Sequence, residues 1–227
     1  IEGILHGEED VEKVYSINMQ DTIMLKKKEK ILFSGVFVKT ELKKRGELYQ
    51  VIMTGNSKSI LLDLEKRQKS YQKNTAFKEI FEDKIGNQGV IKMQPSLEKQ
   101  EKKQLYVQYW ETDWNFLKRM ASQENAQICP DIHVEKNSII VGVPKGREIT
   151  DEFAGYELEK SIGNFLKSQA DGQARIDKEY MTLKTRSYAD YKIGDRICFQ
   201  EYQLVLAEVS MQYVDGLLEY TYTWKHE

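Results

Sequence analysis

Cysteine, proline and net charge are all scarce in this sequence. Its 227 residues include two cysteines and three prolines, and 34 Lys and Arg against 36 Asp and Glu leave a net charge of −2. Cys129 and Cys198 are far apart in the chain, which fits reduced, buried thiols better than a disulfide framework. The balanced charge gives no reason to expect nucleic acid or a membrane surface as the main partner.

Long apolar runs and catalytic patterns are also missing. No segment approaches the roughly 20 residues needed to cross a bilayer, and the first residues lack the charged and apolar regions of a signal peptide. The three histidines lie in unrelated segments. Cys129 and His133 would supply two of the three or four ligands that zinc needs. No nucleophile elbow, Walker loop or dinucleotide-binding glycine pattern is present. We therefore expect no metal, no cofactor and no enzymatic activity.

The residues that are present favour a sheet-rich fold. Aromatic residues make up 11% of the chain, with thirteen tyrosines among them, and aromatic side chains are enriched in strands. Alternation and turn signals predict strands at 14–19, 22–25, 31–40, 47–55, 90–93, 132–134, 138–143, 180–185, 196–199, 202–209 and 217–224. The predicted turns include a solvated hairpin loop at 26–30, a glycine turn at Gly46, and turns at Gly194-Asp195 and Asp215-Gly216.

One stretch, 105–120, combines a strand, a turn and a helix. Tyr106 and Gln108 alternate with Val107 and Tyr109, which predicts a strand with one buried face. The chain is expected to turn at Glu111. This part of the sequence is a structural signature with no catalytic pattern.

The helix after that turn has a clear start. Thr112 is placed to accept a hydrogen bond from an amide one turn on, and Asp113 complements the positive end of the helix dipole. Trp114, Leu117 and Met120 recur at helical spacing and predict one apolar face that docks on a sheet. A second helix is predicted at 77–85, ending at Gly86.

The strand-to-helix segment resembles that of phage late control protein D and of the VgrG spike proteins, which are hub components of contractile tails and type VI secretion systems. Segments 32–38, 49–53 and 71–81 also resemble this family, and 193–197 followed by Tyr202, Leu204 and Val205 looks like its last barrel. The likeness runs from about residue 31 to the end. The residues that carry the signature are Tyr109, Glu111, Thr112, Asp113, Trp114, Phe116, Leu117, Gly194 and Asp195.

The resemblance implies a mainly β fold with a few short helices (α+β). It implies a first hub β-barrel at 1–75, an inserted α/β segment at 76–145 with helices near 76–85 and 113–123, and a second hub β-barrel at 146–227. Segment 156–166 is open between two interpretations. Its apolar residues share a helical face, whereas the family comparison suggests a strand that bends at Gly163.

The function implied by the resemblance is structural. Three copies would form a ring that connects the tail tube protein to the central spike, together with other baseplate proteins. The sequence ends at Glu227 without a needle-like repeat, so we expect the spike to be a separate protein or a part that this sequence does not include. Assembly is expected in the cytoplasm, and the mature location in a virion tail or secretion-apparatus baseplate.

Two other functions remain open on the sequence. Exposed aromatic residues, such as Trp110 and Trp114, could form the ligand platform of a monomeric all-β carbohydrate-binding or adhesin module, although packing in the core or against a subunit is the simpler interpretation. A tail-associated murein hydrolase with an unrecognised site is the third possibility.

Overall fold

The computed structural model describes the chain except for residues 1, 6–7, 19–20, 87–88, 99, 101–104, 143, 145, 173–175, 215–216 and 227. The chain divides into two compact units, 1–143 and 144–227. Strands dominate both units and the helices are short, so the predicted mainly β class with a few helices is confirmed. Within the described residues, no helix is long and apolar enough to cross a membrane.

The first unit begins with a four-stranded antiparallel sheet. Its strands are β1 (Glu2–Leu5), β2 (Thr22–Lys27), β3 (Lys30–Arg45) and β4 (Leu48–Ser57), in the order β1-β4-β3-β2. Lys28, with a φ of 54°, turns β2 into β3, and Gly46, with a φ of 62°, turns β3 into β4. The three strands predicted at 22–25, 31–40 and 47–55 and their two hairpin turns are confirmed.

The strand predicted at 14–19 is wrong. Residues Glu8–Ser16 form a helix, α1, and residue 19 lies outside the described part of the chain. Val14 is buried, while acidic residues occupy the first turn, where they complement the helix dipole. The short alternation around Tyr15 therefore could not distinguish a strand from the last turns of a helix with one buried side.

A small α/β layer completes the first unit. A 3₁₀ helix (Lys58–Asp63) leads to β5 (Lys66–Tyr71), α2 (Phe77–Ile85), β6 (Val90–Met93), α3 (Pro95–Glu98), β7 (Tyr106–Thr112), α4 (Asp113–Ser122), β8 (Ile128–Pro130) and β9 (Ser138–Val141). Strand β5 pairs antiparallel with β7, and β9 pairs parallel with β6 and antiparallel with β8. The predicted helices near 76–85 and 113–123 and the strand at 90–93 are confirmed.

The core of this layer is apolar and continuous. Fully buried side chains from α2, α4 and β9 meet in it, and these are Phe77, Ile80, Phe81, Phe116, Leu117, Met120 and Ile139. Helix α2 ends as predicted, because Gly86 has a φ of 79° and its N–H donates to the Glu82 carbonyl. Most of the charged segment 98–103, which the sequence predicts to be a loop, lies outside the described residues.

The strand predicted at 132–134 is also wrong, because the first arm of this hairpin is β8, at Ile128–Pro130. Residues 132–136 are turns and bends. The Asp131 carboxylate accepts from the His133 N–H at 3.1 Å, which closes a local turn. Ile132 directs its carbonyl to the Ser34 N–H at 2.8 Å, outside the hairpin.

The second unit is built on a six-stranded sheet. Its strands are β10 (Glu148–Ile149), β11 (Tyr156–Lys160), β12 (Met181–Ser187), β13 (Arg196–Phe199), β14 (Tyr202–Val214) and β15 (Leu217–His226), in the order β10-β13-β14-β15-β12-β11. The four strands predicted in this region are confirmed, and β14 runs further than expected. The predicted turn at Asp215-Gly216 lies outside the described residues.

Segment 156–166 combines both open interpretations. It is a strand, β11, followed by a helix, α5 (Ile162–Ala170), and a 3₁₀ helix (Asp177–Tyr180) precedes β12. The expectation of a continuous strand that bends at Gly163 is therefore wrong. Gly163 lies in the first turn of α5, and the chain leaves the sheet at Ser161.

The six-stranded sheet is strongly curled around aromatic side chains. The ring of Tyr156 on the edge strand β11 meets that of Phe199 on β13, near the opposite edge, with centroids 4.9 Å apart. Tyr222 and Trp224 are fully buried between these edges. The Trp224 indole donates to Thr185 Oγ1 at 2.9 Å, so its polar atom is satisfied inside the core. Among the described residues no strand pairing joins β10 to β11.

Candidate functional site

Strand β7 presents one buried and one exposed face, as its sequence predicted. Tyr106 and Gln108 are buried, while Val107 and Tyr109 point outward. The strand contains a bulge at Trp110, which has no partner on β5 and a φ of 51°. Trp110 and Tyr109 are consequently 62% and 70% exposed. Packing of Trp110 in the core is therefore excluded, whereas Trp114 is partly buried against it.

The predicted cap of α4 is confirmed. The Thr112 hydroxyl accepts a hydrogen bond from the Asn115 N–H at 3.2 Å and donates its own proton to the Asp63 carboxylate. Thr112 therefore satisfies a free amide of α4 and ties it to the 3₁₀ helix at 58–63. Arg119 adds a second tie, because its guanidinium donates to the Val107 carbonyl at 2.9 Å and to the Glu111 carboxylate.

A buried ion pair lies beneath this junction. Lys84 Nζ on α2 is 2.9 Å from Asp113 Oδ1, and their side chains are only 4% and 6% exposed. Gln108 joins them, because its amide donates to Asp113 Oδ1 at 2.9 Å and its carbonyl oxygen accepts from Lys84. Arg67 lies 3.3 Å from the other Asp113 oxygen. Each buried charge is thus paired and hydrogen-bonded, as burial requires.

Aromatic rings surround the buried ammonium group. Lys84 Nζ is 5.7 Å from the centre of the Tyr71 ring and 5.6 Å from that of Phe116, within cation–π range. These two rings stack with their centres 5.7 Å apart. Phe116 and Leu117 are fully buried, so the signature residues after Asp113 form the apolar floor of the junction.

Sequence reasoning missed Lys84. Its position carried a usable signal, because Phe77, Ile80, Phe81 and Lys84 recur at helical spacing on one side of α2. A lysine on an otherwise apolar helical face, together with a buried aspartate, indicates an internal ion pair. The structure is needed to show that Asp113 is that partner.

Tyr71 is tied to a second carboxylate at the rim of this junction. Its hydroxyl donates to Asp83 Oδ2 at 2.6 Å, and Lys69 Nζ is 2.7 Å from Asp83 Oδ1. Burial and the neighbouring Asp83 charge raise the pKa of Tyr71 well above its usual value. Burial would raise the pKa of Asp83, but the hydrogen bonds from Lys69 and Tyr71 outweigh it, so this pKa is lowered.

Gly194 and Asp195 form a tight turn in the second unit. Gly194 has a φ of 92°, and a Cβ at this position would lie 2.4 Å from the Pro144 carbonyl oxygen. The Asp195 carboxylate accepts from the N–H groups of Arg147 and Lys192 at 2.8 and 3.0 Å. The Arg147 guanidinium donates to it at 2.9 Å. Burial would raise the pKa of Asp195, but these hydrogen bonds outweigh it, so the pKa is lowered.

The structure gives the surroundings of both cysteines and of His133, among which Cys129 and His133 were considered as zinc ligands. Cys129 is half-buried, and burial raises the pKa of its thiol to about 11. Cys198 is exposed, so the expectation of a buried thiol is wrong there. His133 is exposed and its Nδ1 lies 3.2 Å from the Ile31 carbonyl oxygen. The described residues contain no group of three His, Cys, Asp or Glu placed to hold a metal.

The junction around Lys84 and Asp113 and the turn at Gly194-Asp195 both hold the backbone in place. The buried charges of Lys84, Asp113 and Asp195 are already paired within the fold. The exposed side chains beside the first site include the apolar and aromatic Val107, Tyr109 and Trp110 as well as the charged Arg67 and Lys69. The arrangement supports packing against another surface.

No protein-family model and no curated protein matches the chain. Solved structures do match. A 43 kDa tail protein of prophage MuSo2 from Shewanella oneidensis aligns with 99% of this chain and 88% of its own length, at a TM-score of 0.70 and 9% identity. The fold is that of a phage tail protein. A tail protein from Neisseria meningitidis MC58 shares this tail-protein fold over 87% of the chain and 81% of its own length, at a TM-score of 0.60 and 12% identity.

A secretion-system protein shares the tail-protein fold as well. The Escherichia coli c3393 protein, a component of the type VI secretion system with structural similarity to the T4 bacteriophage tail proteins gp27 and gp5, aligns with 94% of this chain at a TM-score of 0.64 and 17% identity. The chain spans 65% of the length of that protein. The likeness between these proteins is one of fold.

Proposed function

We propose that this chain is a structural baseplate hub component, three copies of which form a ring between a tail tube and a central spike. The observation that carries the proposal is the tail-protein fold, which extends over 94% of the chain in the alignment with the type VI secretion component. The same fold recurs in prophage tail proteins. Late control protein D and VgrG are the family members that we propose as its nearest functional counterparts.

We assign the parts of the hub as follows. The sheet β1–β4 belongs to a first hub barrel at 1–75, the α/β layer at 76–145 is an insertion, and the curled sheet at 146–227 is the second barrel. The six-stranded sheet supports the second part of this assignment, because rings on β11 and β13, near its two edges, meet across it. Two barrels in each of three copies would present six similar units to a hexameric tube.

The proposed work is assembly without turnover. Charges that burial could have tuned for catalysis, such as Lys84 and Asp113, are instead paired with each other. In this proposal the signature from Tyr109 to Leu117 holds α4 rigidly against β7 so that load passes through the insertion. In the same way, Gly194 and Asp195 hold the start of the second barrel rigidly in place.

The proposed partners are the tail tube protein, a separate spike protein and other baseplate proteins. Assembly would take place in the cytoplasm, and the mature hub would lie in a virion tail, a phage-like particle or a secretion-apparatus baseplate. No cofactor is needed for these contacts.

The test is the mass and shape of the assembled protein. Light scattering during size-exclusion chromatography should give three times the mass of the chain, or that mass plus the bound tube protein when the tail tube protein is added. Electron microscopy of the same fractions should show a threefold ring. A chain that stays monomeric at high concentration with the tube protein present would favour the adhesin alternative. Release of soluble fragments from cell-wall material, lost on changing one carboxylate, would favour the hydrolase.

A further inference from the structure

Two consecutive aromatic side chains are exposed on strand β7. Successive residues of a strand point to opposite faces of its sheet, so Tyr109 and Trp110 would normally lie on opposite sides. Trp110 is instead the extra residue of the bulge, with no partner on β5. Both rings are therefore exposed, while Gln108 before them and Thr112 after them are buried.

The backbone at Trp110 has a conformation that is unfavourable for a residue with a side chain. Its φ of 51° lies in the left-handed region, which glycine adopts freely and tryptophan does not. Bulges redirect side chains and are common beside functional sites, and strained backbone is also concentrated there. A tryptophan at a position suited to glycine indicates that its exposed ring has a use outside the fold.

Hydrogen bonds hold this bulge on both sides. The buried Gln108 amide donates to the Glu111 carbonyl at 3.0 Å, and this bond spans the extra residue. The Arg119 guanidinium donates to the Val107 carbonyl at 2.9 Å and to the Glu111 carboxylate. These bonds fix the backbone from 107 to 111, so the part of the chain that carries the two rings is in place before a ligand binds.

Neutral polar side chains lie next to the rings on the neighbouring strand. Gln68 is paired with Tyr109, and Ser70 with Val107, so their side chains share the outer face of the two-stranded sheet. Both Gln68 and Ser70 are exposed. Their amide and hydroxyl groups can each donate and accept hydrogen bonds.

The charged side chains that flank this face are already paired. These pairs are Arg67 with Asp113, Lys69 with Asp83, and Glu111 with Arg119. Lys66 lies beyond the bulge, opposite the buried Thr112. The surface next to the two rings therefore offers stacking and hydrogen bonds rather than charge.

We propose that this surface binds a neutral oligosaccharide, with sugar rings stacked on Trp110 and Tyr109 and sugar hydroxyls bonded to Gln68 and Ser70. The C–H face of a pyranose ring is apolar and packs on an aromatic ring. An anionic polymer such as nucleic acid would need unpaired cations beside the rings. Two aromatic side chains match one or two sugar rings, whereas a stable protein interface needs about 800 Å² from each partner. Sugar binding of this kind does not depend on the proposed ring of three copies.

Calorimetric titration of the full chain tests the site. The probes are neutral tetrasaccharides of glucose, galactose, mannose and N-acetylglucosamine, and at least one of them should bind at millimolar concentration. W110A and Y109A should each weaken that binding about tenfold, because each removes one stacked ring. Y188A removes a similarly exposed tyrosine of the second unit and should bind like the unchanged protein. If no probe binds, or if W110A binds as tightly as the unchanged protein, the sugar site is wrong.

Two variants of Trp110 separate sugar binding from folding and assembly. W110G relieves the left-handed φ and W110A does not, so W110G should unfold at the higher urea concentration, although neither variant should bind the sugar. If W110A is the more stable of the two, position 110 is not strained and the site is wrong. Both variants should have the same mass as the unchanged protein in light scattering, with and without the tube protein. A change in that mass would show that the rings contact a protein and not a sugar.

Discussion

Lys84 and Asp113 form an ion pair with 2.9 Å between Nζ and Oδ1, and both side chains are almost fully removed from water. The two residues come from different helices, α2 and α4. Because an ammonium group buried among Tyr71 and Phe116 needs a counter-charge, the pair specifies how these helices meet. It links the strand-to-helix signature to the centre of the first unit.

Removing Lys84 should therefore be costly. K84M leaves the Asp113 carboxylate buried with Arg67, at 3.3 Å, as its remaining cation, and we expect a loss of about 3 kcal/mol in the free energy of unfolding. Urea denaturation measures this. The control is K69M, which breaks the half-exposed pair with Asp83 and should cost less than about 1 kcal/mol. Equal losses in the two variants would show that burial of the pair is unimportant.

The cap of α4 gives a second prediction. T112A removes the hydroxyl that accepts from the Asn115 N–H and donates to Asp63, so the free energy of unfolding should fall by about 1–2 kcal/mol. T112S keeps the hydroxyl and should recover most of that loss. Thermal denaturation of the three proteins provides the measurement. A serine variant as unstable as the alanine variant would mean that the threonine methyl group, and not the cap, matters.

Replacing Gly194 or Gly163 by alanine should change the stability of the protein in opposite directions. G194A places a Cβ at a φ of 92° and 2.4 Å from the Pro144 carbonyl oxygen, so the protein should lose about 2–4 kcal/mol of stability. G163A lies in the first turn of α5 with no atom within 4 Å of the added carbon, and should gain up to about 1 kcal/mol. Denaturant unfolding checks both. A tolerated G194A would contradict the tight turn at Gly194-Asp195 in the second unit.

The Asp195 carboxyl should make the free energy of unfolding fall as the pH is lowered. Hydrogen bonds from Arg147 and Lys192 outweigh burial and lower the pKa of this carboxyl in the folded state. Its contribution to stability is therefore fully present above the unfolded pKa of about 4 and is lost as pH falls through the folded value. Unfolding free energies between neutral pH and about pH 3 should decline more steeply for the unchanged protein than for D195N. Parallel curves would show that Asp195 contributes nothing to acid sensitivity.

Local signals made much of the first unit predictable. The alternation from Tyr106 to Tyr109 and the cap at Thr112 depend on residues within a few positions of each other, so they can be read from the sequence. The same holds for Gly86, whose positive φ ends α2. Lys84 could not be placed in the same way, because its partner Asp113 lies on another helix and the two meet only after the chain has folded.

The sequence by itself determined the mainly β class, the positions of most strands and the start of α4, because hydrophobic periodicity and caps act over a few residues. Only the tertiary structure decided that 14–16 is helical, that 156–166 divides into a strand and a helix, that Trp110 points outward at a bulge, and which strands are left as free edges. Those outcomes depend on which surfaces are already covered by distant parts of the chain, and no short stretch of sequence contains that information.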